Sequence, residues 1–140
     1  MFSFGTASMK QLDTCHQDVK VIMDEVIKIV NCSVLEGHRD PSLQADFVAR
    51  GLSKTLDSLH CTNPSMAWHA LPYFDADPHI DWNHRPSMYY LAGIILGVAA
   101  RLRGEGKITN HVRWGGDWDR DGDVREAQWN DLAHYELRGD

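Results

Sequence analysis

Three histidines and one aspartate of this sequence can act together, as metal ligands with a carboxylate beside them. His60, His69 and His134 lie on separate predicted elements, and Asp131 comes three residues before His134. Imidazole is a common zinc ligand, and a catalytic zinc ion takes three protein ligands and leaves one position open. A carboxylate beside such an ion can take a proton from the attacking water and return it to the leaving amine. The spacing therefore allows a hydrolytic zinc site.

Spacing alone does not decide this hypothesis. The chain has 8 histidines, so some triplets arise by chance, and a histidine on a strand is more often structural. His79, His84 or Cys61 can each be considered in place of His69 or as an added ligand. For Asp131 the alternative is a solvated loop aspartate, which is the more common case.

Two further residues can contact a substrate. Arg39 stands at the end of a predicted strand, where it can hold a substrate carboxylate or stabilise charge on an attacked carbonyl. The alternative for Arg39 is a surface ion pair with Asp40 or Asp46. Ser53 lies in a polar loop and can donate a hydrogen bond near His60.

An acidic run, residues 117–126, alternates aspartates in the manner of a calcium loop. An EF-hand needs a glutamate at the twelfth loop position. Counted from Asp117 that position is Gln128, so the match fails and a solvated loop is predicted.

Composition excludes several classes of protein. With 140 residues and 43% hydrophobic residues, a single folded domain over residues 1–140 is expected. The net charge of -6 argues against a general nucleic-acid or anionic-membrane binder. The start of the chain does not have the pattern of a signal peptide, and the longest apolar run, residues 91–100, is too short to span a bilayer. The 3 cysteines form no CxxC pair and are expected to be reduced.

The hydrophobic periodicity predicts an α+β fold, in which two or three helices pack on a small antiparallel sheet. Ser8 and Gln11 have the form of a capping box at the start of the first helix. If the strands that carry His69 and His134 are neighbours, the two imidazoles can meet over one site. The predicted helices cover residues 9–30, 41–50 and 87–103, and the predicted strands cover residues 31–36, 66–73, 111–114 and 133–137, with an irregular loop at 74–85.

Several segments, taken in order, resemble one known family. They are Gly37-His38-Arg39-Asp40 with Gln44, Ser53-Lys54-Thr55 with Ser58-Leu59-His60, the segment from Asn63 to Tyr73, Asp81-Trp82, residues 113–118, and Asp131-Leu132-Ala133-His134-Tyr135-Glu136-Leu137. The series resembles the phage-type zinc peptidases of the VanY and D-Ala-D-Ala carboxypeptidase group, especially the small L-alanyl-D-glutamate endolysins. Each segment is weakly specific, whereas the ordered series covers nearly the whole chain.

The resemblance implies a fold and a set of roles. The fold would be the D-Ala-D-Ala carboxypeptidase or hedgehog-like type. His60 and His134 match two zinc ligands, Asp131 matches the general base, and Arg39 matches the substrate-facing arginine, while Ser53 lies in the active-site loop. The third ligand of the family is an aspartate, and the matching position here is His69, which would leave the zinc site one unit more positive.

The function implied is a phage endolysin, a zinc metallopeptidase that hydrolyses a peptidoglycan stem peptide at the L-Ala–D-Glu bond. A D,D-carboxypeptidase or dipeptidase on the same fold is one alternative. A virion or wall-binding module with weakened catalysis is another. The peptidase would be made in the host bacterial cytoplasm and released to the periplasm through a holin, unless it is carried in the virion. We expect neither nucleic-acid binding nor membrane insertion, and a monomer is expected.

Overall fold

The structure is a computed structural model and describes residues 1–125 and 130–140. The α+β class predicted from the sequence is confirmed, with four α-helices, one short 3-10 helix and four strands in these residues. The helices are α1 (Thr6–Leu12), α2 (Gln17–Val26), α3 (Pro41–Ala49) and α4 (Arg85–Gly104), and the 3-10 helix is Leu59–Cys61. The strands are β1 (Cys32–Glu36), β2 (Ala67–Pro72), β3 (His111–Trp114) and β4 (His134–Arg138).

The sheet is antiparallel, and its strand order is β1-β2-β4-β3. The central pair β2 and β4 therefore carries the two strand histidines side by side. Helix α4 packs against β2, β3 and α2, and α1 packs against β1. Trp68 and Tyr135 are fully buried and stack with their ring centroids 5.5 Å apart. This apolar layer gives the central strands a rigid support.

The prediction of one continuous helix over residues 9–30 is wrong, since this segment is divided between two separate helices, α1 and α2. The chain leaves the helical path because His16 N donates to Ser65 O and Cys15 forms a bridge with the same residue. The His16 ring then accepts from Asp18 N at 2.9 Å and begins α2. Ser8 does not cap a helix, because its hydroxyl is buried and accepts from Val34 N at 3.0 Å.

The other predicted elements are confirmed within a few residues. Asp40 caps α3 by accepting from Ser42 N at 2.9 Å. Gly51 follows the end of that helix with a φ of 73°, a conformation that glycine adopts without a steric penalty. No helix among the described residues is long and apolar enough to cross a membrane.

Candidate active site

His69 and His134 meet across the two central strands. They are direct Cα partners in the β2–β4 ladder, so their side chains leave the sheet on the same face. His134 Nδ1 lies 3.4 Å from His69 Nε2. The expected meeting of these two imidazoles is confirmed.

His60 reaches the same place from the 3-10 helix. The Ser58 hydroxyl accepts from His60 N at 3.2 Å and caps this turn. The ring centroid of His60 lies 4.5 Å from that of His69 and 5.2 Å from that of His134. Its Nδ1 is 2.7 Å from Gly37 O, and this contact fixes the direction in which Nε2 points.

Gly37 is required where β1 ends, because the chain passes very close to α1 there. A Cβ at this position would lie 2.4 Å from Thr14 Oγ1 and 2.6 Å from the Gln11 carbonyl oxygen. Both distances are shorter than any real contact of a Cβ atom. The glycine therefore lets the backbone carbonyl that orients His60 occupy its place.

The three histidines form a group that can hold a metal ion. One nitrogen from each ring lies within 4.8 Å of the others. His60 Nε2 is buried and has no hydrogen-bond partner among the described residues. An orphaned buried nitrogen is rare in proteins, and a metal ion would satisfy it. The donor set therefore fits zinc, which binds neutral imidazole.

The protonation of the site agrees with this donor set. Burial, with a further contribution from nearby His134, lowers the pKa of His60 to about 3. Burial also lowers the pKa of His69 well below its usual value, and the neighbouring His60 and His134 act in the same direction. His60 and His69 are therefore neutral near pH 7, and a metal ion need not displace a proton from their rings.

Asp131 lies beside the histidines in the turn before β4. Its Oδ2 is 3.7 Å from His69 Nε2, and its side chain is 35% exposed. Burial raises the pKa of this carboxyl above its usual value, which makes it a better proton acceptor. Gly115 permits the placement, because a Cβ there would lie 2.1 Å from the Asp131 carbonyl oxygen.

Glu136 is a second carboxylate behind His134. Its Oε1 is 2.8 Å from His134 Nε2, the nitrogen that faces away from His69. Its Oε2 accepts from Arg113 Nη2 at 2.7 Å and from Arg138 Nη1 at 3.4 Å. Burial alone raises the pKa of Glu136, but the bonds from His134 and Arg113 outweigh it and lower that pKa. The sequence places Glu136 on the face of His134 but gives it no role.

Arg39 is buried at the edge of the site, and the surface ion pair considered for it is not found. Its Nη2 donates to Glu36 Oε1, and its Nη1 donates to Gln44 Oε1 at 2.6 Å. The Phe47 ring lies under the guanidinium, with its centroid 4.7 Å from Cζ. Asp40 instead caps α3, so its carboxylate serves the helix rather than Arg39.

Ser53 is connected to Arg39 through Gln44. Gln44 Nε2 donates to the Ser53 hydroxyl at 2.9 Å and to Thr55 O at 2.6 Å. Gln44 is only 1% exposed, although it is a polar residue on a short helix. This amide therefore adds to the backbone hydrogen bonds from Leu52 N and Ser53 N to Phe47 O, which also attach this loop to α3. The sequence does not predict this supporting role of Gln44. The residue appears there only in a segment of the family resemblance, and its burial depends on the path of residues 53–55.

These residues open into one cleft of about 1150 Å³. Polar and aromatic side chains line the cleft around the histidine group. They include Ser53, Phe47, Trp82, Trp118, Arg113 and Asp131. Trp118 lies 5.4 Å from the His134 ring, and the Arg113 guanidinium lies over Trp118 at 5.3 Å. The cleft is large enough for a peptide substrate.

The other predicted alternatives lie outside this group. The His79 ring stacks on Tyr73, and the His84 ring contacts Ser87 at 2.9 Å. Cys61 does not join the histidine cluster found among the described residues.

The acidic loop forms a separate group. Asp117, Asp119 and Asp121 have carboxylate oxygens within 4.8 Å of one another, and the last two side chains are exposed. Such exposed acidic groups are common without an ion. Glu126, which ends the predicted loop, and Gln128, on which the EF-hand comparison depended, are outside the described residues.

The chain resembles known proteins in sequence and in fold. The family model described as phage L-alanyl-D-glutamate peptidase matches residues 1–138. The crystal structure of the Serratia marcescens L-Ala D-Glu endopeptidase ChiX is similar, with a TM-score of 0.73 and 24% sequence identity, over 97% of this chain and 90% of that one. At this identity the likeness concerns the fold. No curated protein matches the sequence.

Proposed function

The chain belongs to the phage L-alanyl-D-glutamate peptidase family, and we propose that it performs the peptidoglycan hydrolysis of that family with a zinc ion held by His60, His69 and His134. Membership makes it a hydrolase that cleaves the L-Ala–D-Glu bond of peptidoglycan stem peptides. The observation that carries the zinc proposal is the histidine group, with its ligand atoms within 4.8 Å and an unpaired buried His60 Nε2.

The chemistry that zinc supplies when bound is polarisation of the scissile carbonyl and acidification of water. Asp131 accepts the proton of the attacking water as the new carbon–oxygen bond forms. It then donates that proton to the amide nitrogen as the carbon–nitrogen bond breaks, so that a carboxylic acid and an amine leave. The raised pKa of Asp131 suits both transfers, because such a carboxyl holds a proton more readily than an ordinary aspartate.

Arg39 and Ser53 are proposed to act on the substrate. Arg39 carries a permanent positive charge on the wall of the cleft, where it favours a developing negative charge or a substrate carboxylate. Ser53 lies on the same wall and is attached to Arg39 through Gln44. The proposed partner is the stem peptide itself, bound by a single-domain monomer.

The setting we propose is bacterial lysis by a phage. The peptidase would accumulate in the host cytoplasm and reach the periplasm through a holin.

One experiment tests the zinc proposal together with the bond cleaved. The protein is purified without chelator, its zinc content is measured, and the same sample digests purified muropeptides. About one zinc per chain and a new D-Glu amino terminus are expected. A preparation without stoichiometric zinc would contradict the zinc site. Release of a terminal D-Ala would instead identify a D,D-carboxypeptidase, and bound zinc with binding to cell walls but without hydrolysis would identify a wall-binding module.

A further inference from the structure

A β-bulge places an additional carboxylate next to His69. In the β1–β2 ladder Val34 lies opposite Ala70, but the next pair is Glu36 opposite His69, so Leu35 is the extra residue. A bulge changes the direction of the side chains that follow it. Without the extra residue, Leu35 would stand opposite His69. The bulge thus completes a row of Glu36, His69 and His134 across three adjacent strands.

The carboxylate of Glu36 faces the outer side of the His69 ring. Its Oε1 is 3.7 Å from His69 Nδ1, whereas His69 Nε2 faces Asp131 and His134. The distance exceeds that of a hydrogen bond, so the contact is electrostatic. The same oxygen is 3.9 Å from His60 Nδ1, but that nitrogen already contacts Gly37 O at 2.7 Å. Glu36 is therefore assigned to His69, because the outer nitrogen of His60 is already in contact with Gly37 O.

The three histidines then follow one pattern. Each presents one nitrogen to the centre of the group and has an oxygen near the other nitrogen. The outer oxygens are Gly37 O for His60, Glu136 Oε1 for His134 and Glu36 Oε1 for His69. Oxygen acceptors behind metal-binding histidines orient the ring and increase the basicity of the ligand.

We propose that Glu36 is a positioning residue that gives the neutral ligand His69 a negatively charged neighbour. The proposal rests on the proposed zinc site. A site of three imidazoles contributes no negative charge to a dication, so a carboxylate just behind one ring partly replaces the charge that an anionic ligand would bring. Glu36 is also bound to Arg39, so it connects the substrate-facing arginine with the histidine group.

A double-mutant cycle tests this role through zinc affinity rather than activity. Glu36→Gln preserves the shape of the side chain and removes its charge. In the natural chain it is expected to weaken zinc binding about 10- to 100-fold, measured by competition with a chelator. In a His69→Asp background the carboxylate of Glu36 would face another anion, so the same change should weaken zinc binding little or strengthen it.

Glu136→Gln is the matched control, because it acts through His134. It should weaken zinc binding by a similar factor in both backgrounds. Equal losses for Glu36→Gln in the two backgrounds, or no loss in the natural chain, would overturn the role of Glu36. Absence of zinc from the natural chain would instead overturn the proposed function.

Arg39→Met separates the two partners of Glu36. If Glu36 acts on His69, removing the arginine leaves the carboxylate behind the imidazole, and zinc affinity should be unchanged or higher. If Arg39→Met weakens zinc binding as much as Glu36→Gln does, the effect comes from the arginine and the proposal is wrong. This comparison decides the matter even if the His69→Asp chain does not fold.

Discussion

The site has a strand half and a loop half, and they are held together differently. In the strand half, His69, His134 and Glu136 lie on paired central strands over a buried aromatic layer. In the loop half, His60 comes from a 3-10 turn, and Ser53 comes from a loop that the buried Gln44 amide and two backbone hydrogen bonds to Phe47 O attach to α3. Continuous backbone ladders fix the first half, whereas the second is held by isolated backbone hydrogen bonds together with side-chain hydrogen bonds.

This difference predicts how the two halves respond to substitution. A change in the strand half should alter the chemistry and leave the position of its neighbours intact, because the backbone ladder does not depend on those side chains. A change in the loop half should alter position and stability together, because there the side-chain bonds are part of the support.

Asp131→Asn is expected to have the largest effect. It removes the proton acceptor without changing the size of the side chain, so the rate of muropeptide cleavage should fall about 10²- to 10⁴-fold. Zinc content and melting temperature should stay near those of the natural chain, since the three proposed metal ligands are other residues. Asp46→Asn, on the exposed surface of α3, is the control and should cleave normally. If Asp131→Asn keeps the natural rate of muropeptide cleavage, another residue is the base.

The strand half is also the part that the sequence predicts well. The sequence predicted strands over residues 66–73 and 133–137, and their pairing brought His69 and His134 together as expected. The position of Glu36 could not be predicted, because it depends on a bulge that no local pattern marks. The break between α1 and α2 was missed for a similar reason. It is caused by contacts to Ser65, which is distant in the sequence.

Gln44→Met tests the loop half and is expected to have the second largest effect. The change keeps the volume but removes the amide that accepts from Arg39 and donates to Ser53 and Thr55. Buried groups left without a partner cost about 1–3 kcal/mol each, so the free energy of unfolding should fall by about that amount. The kcat/KM for muropeptides should fall too, while zinc affinity is kept.

Leu43→Met is the matched control for this experiment. Leu43 neighbours Gln44 on α3 but is 41% exposed, so its replacement should change neither stability nor kcat/KM. If Gln44→Met leaves both quantities unchanged, the amide does not support the loop half.

The metal-free protein should lose stability as the pH falls. His60 has a pKa of about 3 in the folded chain against an ordinary value of 6.5. Between these values the unfolded chain binds a proton that the folded chain does not, so the free energy of unfolding decreases toward acid. For His60 alone the slope approaches about 1.4 kcal/mol per pH unit within this window. Urea unfolding of the chelator-treated protein from pH 7 to pH 4 measures it.

His60→Asn isolates the contribution of this histidine. The variant should be less stable near pH 7, since it loses the contact with Gly37 O, but its stability should depend less steeply on pH. An unchanged slope would show that His60 is protonated in the folded metal-free chain, and the loop half would then be less tightly packed than the contacts indicate.

Ser53→Ala is expected to have the smallest effect and sharpens the contrast within the loop half. Its hydroxyl accepts one hydrogen bond from Gln44 Nε2, but the same nitrogen also donates to Thr55 O, so the amide keeps a partner. The loss of one such bond should lower the free energy of unfolding by about 0.5–1.5 kcal/mol, with a small decrease in kcat/KM. Ser3→Ala, at an exposed position before α1, is the control for removing a hydroxyl. If Ser53→Ala instead raises KM strongly without a change in stability, the hydroxyl contacts the substrate directly, and Ser53 would contribute binding rather than support.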